Sequence, residues 1–142
     1  RYPRTAFAQQ GALVAAKLQF EKGQPEAAVT SLTWAAEHAV EAEYQAIARL
    51  RLAGVLLDQK KHDEALKQLD GVTAKEFEAL AADRRGDVLA AQGKPDEAKA
   101  AYQKAWAAMD EKVEYRRLID AKLTALGAAP AAETPKTSGA AK

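Results

Sequence analysis

At 142 residues the chain has room for one domain, and its 21 Lys and Arg against 20 Asp and Glu leave a formal charge of +1. That balance supplies no basic field for nucleic acid and no acidic tail. The absence of cysteine removes disulfides, thiolate zinc sites, iron–sulfur clusters and thiol nucleophiles together, and no run of residues has the unbroken apolar length of a membrane span.

The apolar fraction of 48% is about half alanine, with 35 Ala in the chain, while aromatics are only 6%. Alanine is the best helix former because it loses no side-chain entropy. A chain this poor in bulk cannot fill a sandwich core, but its small residues let helix axes approach closely, so the fold class is all-α. From Arg1 to Leu126 the sequence is helix-compatible between turn signals. The first break is Lys22-Gly23-Gln24-Pro25, followed by a softer one near His38–Glu41. Then come Lys60-Lys61-His62-Asp63, Asp70-Gly71-Val72-Thr73, Gly93-Lys94-Pro95-Asp96 and a second soft break near Asp110–Val113. A last helix, VEYRRLIDAKLTAL, carries a stripe of Val113, Leu118, Ile119, Lys122, Leu123 and Leu126 and is expected to cover the open end of a stack. Gly127 ends it. Residues 127–142 contain no large apolar residue, so that stretch reads as a disordered tail and residues 1–126 as the folded domain.

Three stretches share one frame: AAKLQFEKGQPEAAVTSL, LAGVLLDQKKHDEALKQL and RGDVLAAQGKPDEAKAAY. Aligned on Ala28, Ala65 and Ala98, they place small Ala16, Ala53 and Gly86 on the first helix of each pair. Leu32, Leu69 and Tyr102 stand one turn beyond the aligned alanines, where they fill the seam toward the next pair. Gly23 and Gly93 suit the positive φ of a helix end, and Pro25 and Pro95 suit a first helical turn. Acidic residues follow at each second-helix start, matching the helix dipole. Two departures stand out. Lys60 replaces the turn glycine in the second unit, and Gln19 stands where the other units have Leu56 and Leu89, with Leu18 or Phe20 expected to substitute for it. The pattern resembles the tetratricopeptide repeat, which implies an α-solenoid of three helical hairpins plus a C-terminal capping helix.

Tyr2-Pro3 before an Ala-rich helix, Arg49-Leu50-Arg51-Leu52-Ala53 opening the second unit, and Asp83-x-Arg85-Gly86-Asp87 opening the third carry a narrower resemblance. In this order they are similar to the soluble domain of the YfgM-type family, bacterial inner-membrane proteins described as ancillary subunits of the Sec translocon. The Ala/Pro/Thr tail is not part of that pattern. The resemblance implies a non-catalytic interaction module of a single-pass inner-membrane protein, with this domain in the periplasm and Arg1 just after the anchor. It implies as partners the SecYEG translocon, a PpiD-like periplasmic chaperone and unfolded envelope proteins. The rival reading is a soluble bacterial repeat adaptor scaffolding an envelope assembly complex, and a third is an enzyme-regulatory domain.

By frame, the first helices line the inner face with Leu13, Lys17 and Phe20, then Leu50, Gly54 and Leu57, then Asp83, Asp87 and Ala90. This predicts a partly apolar protein-binding groove with lysine at one end and carboxylates at the other. The opposing possibility is that these leucines are packing residues and that the terminal helix folds into the groove. Arg49, Arg51, Arg84 and Arg85 are expected to face Asp83 and Asp87 across helices, as a charged rim or as ordinary ion pairs. Trp34 and Trp106 read as half-buried outer packing, and His38 and His62 as solvated. Two histidines and two serines give no catalytic set and no metal site, and no cofactor is expected. With no Asn in the chain, the Lys/Asn clamp by which some repeat adaptors hold a C-terminal carboxylate is not available.

Overall fold

A computed structural model describes residues 2–110 and 114–127, with side chains from residue 8 onward. Among the described residues there are helices and no strands. They are α1 (Tyr2–Glu21), α2 (Pro25–His38), α3 (Ala42–Asp58), α4 (His62–Asp70), α5 (Glu78–Ala91), α6 (Pro95–Ala108) and α7 (Tyr115–Ala125). One short 3-10 turn, Lys75–Phe77, leads into α5 and was not foreseen in the sequence. The expected tail beyond Gly127, and Val113 of the terminal stripe, lie outside the described residues.

The hairpin turns are built alike. In each, a left-handed residue lets two backbone N–H groups turn back to the end of the preceding helix. Gly23 N–H reaches Phe20 O (3.1 Å) and Gln24 N–H reaches Gln19 O (2.8 Å). Lys60 and Lys61 repeat this on Leu57 and Leu56, and Gly93 and Lys94 on Ala90 and Leu89. The φ values are 73° at Gly23, 61° at Lys60 and 73° at Gly93. This satisfies helix-end carbonyls that would otherwise lack partners. Pro25, His62 and Pro95 then open the second helices, as expected.

Each helix packs on its hairpin partner and on the next in line, while α1 touches α3 and α3 touches α5. The pairs therefore stack in one direction, with the first helices side by side. Ala28, Ala65 and Ala98 are wholly buried, and Ala16 and Ala53 almost so. Two connected apolar clusters result. One joins α1 to α4 around Leu32, Leu52, Leu56 and Leu69 and reaches Val88 of α5. The other joins α5 to α7 around Tyr102, Ile119 and Leu123. Burying a leucine such as Leu52 stabilises the fold by roughly 2 kcal/mol. Gly86 is small because the Tyr102 ring lies against its Cα, where a Cβ would collide. Tyr102, one turn beyond the aligned Ala98, thus fills the space that the missing Gly86 side chain leaves.

Gln19 corrects another expectation. Leu18 and Phe20 are both exposed, so neither replaces it. With its amide nitrogen turned inward, Gln19 itself donates to Ser31 Oγ (2.9 Å) and to the carbonyls of Ala15 (3.3 Å) and Ala27 (3.0 Å). A polar link between α1 and α2 takes the place of a leucine.

Candidate functional site

Seven residues make about two helical turns, so Arg51 and Asp58 fall on the same face of α3, roughly 10 Å apart. Gly54 and Leu57 fall between them in the helix, Leu50 comes just before Arg51, and all five line the same cavity. The first helices run side by side, which sets Phe20 and Glu21 of α1 beside Leu57 and Asp58. Together they enclose an open groove of about 560 Å³ that extends to Arg84 and Asp87 of α5. Leu50 and Leu57 are half-buried, with one side packed on the core, whereas Phe20 is 45% exposed.

Of the residues predicted to line this face, Lys17, Phe20, Leu50, Gly54, Leu57 and Asp87 meet at the groove. Leu13 does not, being buried in the first cluster. Asp83 does not either: it is wholly buried beneath α7. Ala90 is exposed and outside the groove lining. The expected acidic end is therefore closed off at Asp83 by the terminal helix, while Asp87 and the portion over α1 and α3 line the open groove.

The closure is chemical as well as steric. Lys122 Nζ reaches Asp83 Oδ1 (3.0 Å) and Asp87 Oδ1 (2.9 Å). Tyr115 Oη donates to Asp83 Oδ2 (2.6 Å) and Tyr102 Oη donates to Asp87 Oδ1 (2.5 Å). Burial, then the hydrogen bond and charge of Asp87, push the Tyr102 phenol well above its ordinary range. Burial, then the hydrogen bond and charge of Asp83, raise the Tyr115 phenol. Burial opposes the Lys122 ammonium, but the hydrogen bonds and charges of Asp87 and Asp83 together outweigh it and raise its pKa. These groups hold α7 in place.

The arginines divide differently from the expectation. Only Arg84 faces the two aspartates, at 3.9 Å from Asp83 and 3.7 Å from Asp87. Arg85 pairs with Asp70, and Arg49 donates to Gln68 Oε1 (2.9 Å) while lying over Gly71. Arg51 is exposed on the groove rim. None of Lys17, Glu21, Arg51 and Asp58 is ion-paired with a described residue.

Gly54 is unexplained by the fold itself. It has no positive φ, and a Cβ there would meet nothing within 4 Å. A glycine inside a helix costs about 0.5–1 kcal/mol relative to alanine, so α3 is weakened without any packing gain.

Outside the groove, Trp34 is 39% exposed and stacks on His38 at 4.8 Å. His38 Nδ1 also lies 2.9 Å from Trp34 O, so this histidine is exposed yet engaged. Arg116 lies 3.6 Å over the Trp106 ring and joins α7 to α6. Among the described residues no group of three or more His, Asp and Glu is placed to hold a metal ion.

Comparison with known proteins bears on this arrangement. The family model for the tetratricopeptide repeat-like domain matches residues 1–128. The chain belongs to the tetratricopeptide repeat-like family. It is also 37% identical over 125 residues to a protein of Neisseria gonorrhoeae called ancillary SecYEG translocon subunit, covering 88% of this chain and 60% of that protein. It is 33% identical over 96 residues to the Escherichia coli protein of the same name, covering 66% of this chain and 47% of that one. The chain spans only about half the length of these relatives. Among its described residues no helix is long and apolar enough to cross a membrane.

Proposed function

We propose that this tetratricopeptide repeat-like chain is the protein-binding part of an ancillary subunit of the SecYEG translocon. It is non-catalytic. Its groove over α1 and α3 receives a polypeptide of the secretion machinery, with affinity from apolar contact on Phe20, Leu50 and Leu57 and selectivity from the rim charges. The observation that carries the reading is the likeness to the Neisseria protein: a match of 125 residues in 142 has to include α3 and α5, two of the three first helices that line the groove. On this reading the domain works in the periplasm beside the inner membrane, with a PpiD-like chaperone and unfolded envelope proteins as further partners.

The test is crosslinking and affinity capture from envelope membranes, using the epitope-tagged protein expressed from its own locus. Leu57→Glu, with a normal far-ultraviolet circular dichroism spectrum and melting curve, is expected to reduce capture of SecYEG and of a PpiD-like partner at least tenfold. Unchanged capture of both would refute the groove as the binding surface.

A further inference from the structure

Helix α1 carries apolar residues on two opposite faces. Leu13 and Ala16 are buried in the first cluster. On the far side Gly11, Val14 and Leu18 make a stripe at i, i+3 and i+7 spacing, with Val14 59% and Leu18 48% exposed. The outer face of a terminal repeat is ordinarily polar. At the other end of the stack α7 supplies a cover, with Ile119 and Leu123 wholly buried. The α1 stripe has no cover among the described residues.

We propose that this outer face of α1 joins a second copy of the chain, α1 against α1, antiparallel about a two-fold axis level with Ala12 and Leu13. The inference is separate from the groove reading and stands whatever the groove holds.

Period argues for a helix as the occupant. Along α1, Arg4, Phe7, Gly11, Val14, Leu18 and Glu21 recur at alternating steps of three and four residues. That spacing keeps one stripe facing a neighbouring helix along its whole length, here about 30 Å for 20 residues.

Self-complementarity argues for a second copy. A symmetric dimer uses one patch twice, so a residue that meets a given position must be met there in return. Pairing about the middle of the stripe sets Gly11 level with Val14 of the second copy, and Leu18 level with position 7, a phenylalanine. Gly11 has no positive φ, and a Cβ there would meet nothing within 4 Å, so neither backbone conformation nor internal packing requires it. Its missing side chain leaves room for the Val14 of the other helix.

Charge sets the orientation. The same register brings Glu21 level with position 4, an arginine, at both ends of the contact. Glu21 has no ion-pair partner among the described residues. A parallel pair would set Glu21 against Glu21 and is disfavoured by repulsion. Lys17, beside the stripe, falls level with Ala8, so no like charges meet. A contact along one helix from each copy is at the small end of specific interfaces, so the dimer is weak and concentration-dependent.

Sedimentation velocity of the 142-residue chain over a hundredfold range of concentration is expected to show a reversible monomer–dimer equilibrium. Leu18→Glu is expected to weaken dimerisation at least tenfold and Leu18→Ala at least threefold, both with the circular dichroism spectrum of the parent, since Leu18 is exposed. Glu21→Arg should weaken it at least fivefold, and adding Arg4→Glu should bring it back to within about twofold of the parent. The parent has no cysteine, so disulfide formation reads the orientation. A Gly11→Cys chain mixed with a Val14→Cys chain should form the mixed disulfide at least fivefold faster than either forms its own.

A chain that stays monomeric at every concentration would refute the proposal, whatever else the α1 face then meets. A dimer that survives Leu18→Glu unweakened places the interface elsewhere and refutes it equally. Failure of Arg4→Glu to rescue Glu21→Arg, or a Gly11→Cys chain that crosslinks to itself faster than to the Val14→Cys chain, would overturn the antiparallel pairing.

Discussion

Lys60 stands in a left-handed conformation, φ 61°, where Gly23 and Gly93 stand in the equivalent turns. Its Cβ makes that conformation unfavourable by roughly 1–2 kcal/mol, and the two hydrogen bonds of the turn hold it there regardless. Lys60→Gly relieves the strain but gives the unfolded chain more freedom, which offsets part of the gain. The net expectation is a stabilisation of about 0.5–1 kcal/mol, checked by urea denaturation of the two proteins. A midpoint that stays put or falls would mean that the lysine side chain makes a compensating contact. This position was legible in the sequence, because a three-unit frame shows which residue must play the glycine. Gln19 was not. The frame asked for bulk there, and nothing local indicated that Ser31, twelve residues on, would offer it a hydrogen-bonding partner.

Helix α7 shows what an element-level reading captures and what it misses. Its apolar stripe predicted a cap, and Ile119 and Leu123 are indeed wholly buried, while Leu118 on the same stripe is 47% exposed. The polar lock was missed because Lys122 lies 35 and 39 residues from its two aspartates in sequence and Tyr115 lies 32 from Asp83. Two signals were present all the same. Asp83 occupies the register of Leu13 and Leu50, and Lys122 interrupts an otherwise apolar stripe; each is out of place alone and explained by the other. Lys122, Tyr115 and Tyr102 all have raised pKa values in the folded chain. Groups of this kind contribute stability that is fully present below their unfolded pKa, about 10 for tyrosine and lysine, and lost as pH rises through the folded values. Stability should therefore be level from pH 7 to about 9.5 and fall steeply above about pH 10. Lys122→Met should cost about 3 kcal/mol at pH 7, because it removes the closer cation of the buried Asp83 carboxylate and leaves it only the more distant Arg84 at 3.9 Å. It should also make the alkaline fall shallower. Thermal melts of both proteins across that range check the two statements together, and an equally steep fall in Lys122→Met would show that the lock does not govern it.

At the scale of the whole molecule, a stack in which each hairpin touches only its neighbours has stability close to a sum of unit and interface contributions. Here the interface between the α1–α4 cluster and the α5–α7 cluster is thin. Leu66 of α4 packs on both clusters, and Val88 carries the first cluster across to α5. The polar ties beside them are Arg85 with Asp70 and Gln92 with Asp63 (3.3 Å), both with exposed partners worth at most about 1 kcal/mol. Apolar contact at Leu66 and Val88 is therefore the main coupling between the two halves. Leu66→Ala should cost about 2 kcal/mol, near the low end for a leucine truncation because the site is only partly buried. The sharper consequence is loss of cooperativity. Trp34 reports on the first half and Trp106 on the second, so Trp106→Phe and Trp34→Phe variants each isolate one reporter. In the parent background their urea midpoints should coincide, since propagation across an intact interface makes unfolding a single event. With Leu66→Ala added the midpoints should separate, the half carrying the groove unfolding independently of the half locked by α7. Midpoints that remain together after Leu66→Ala would show that the junction is held by other contacts and that the stack behaves as one indivisible unit.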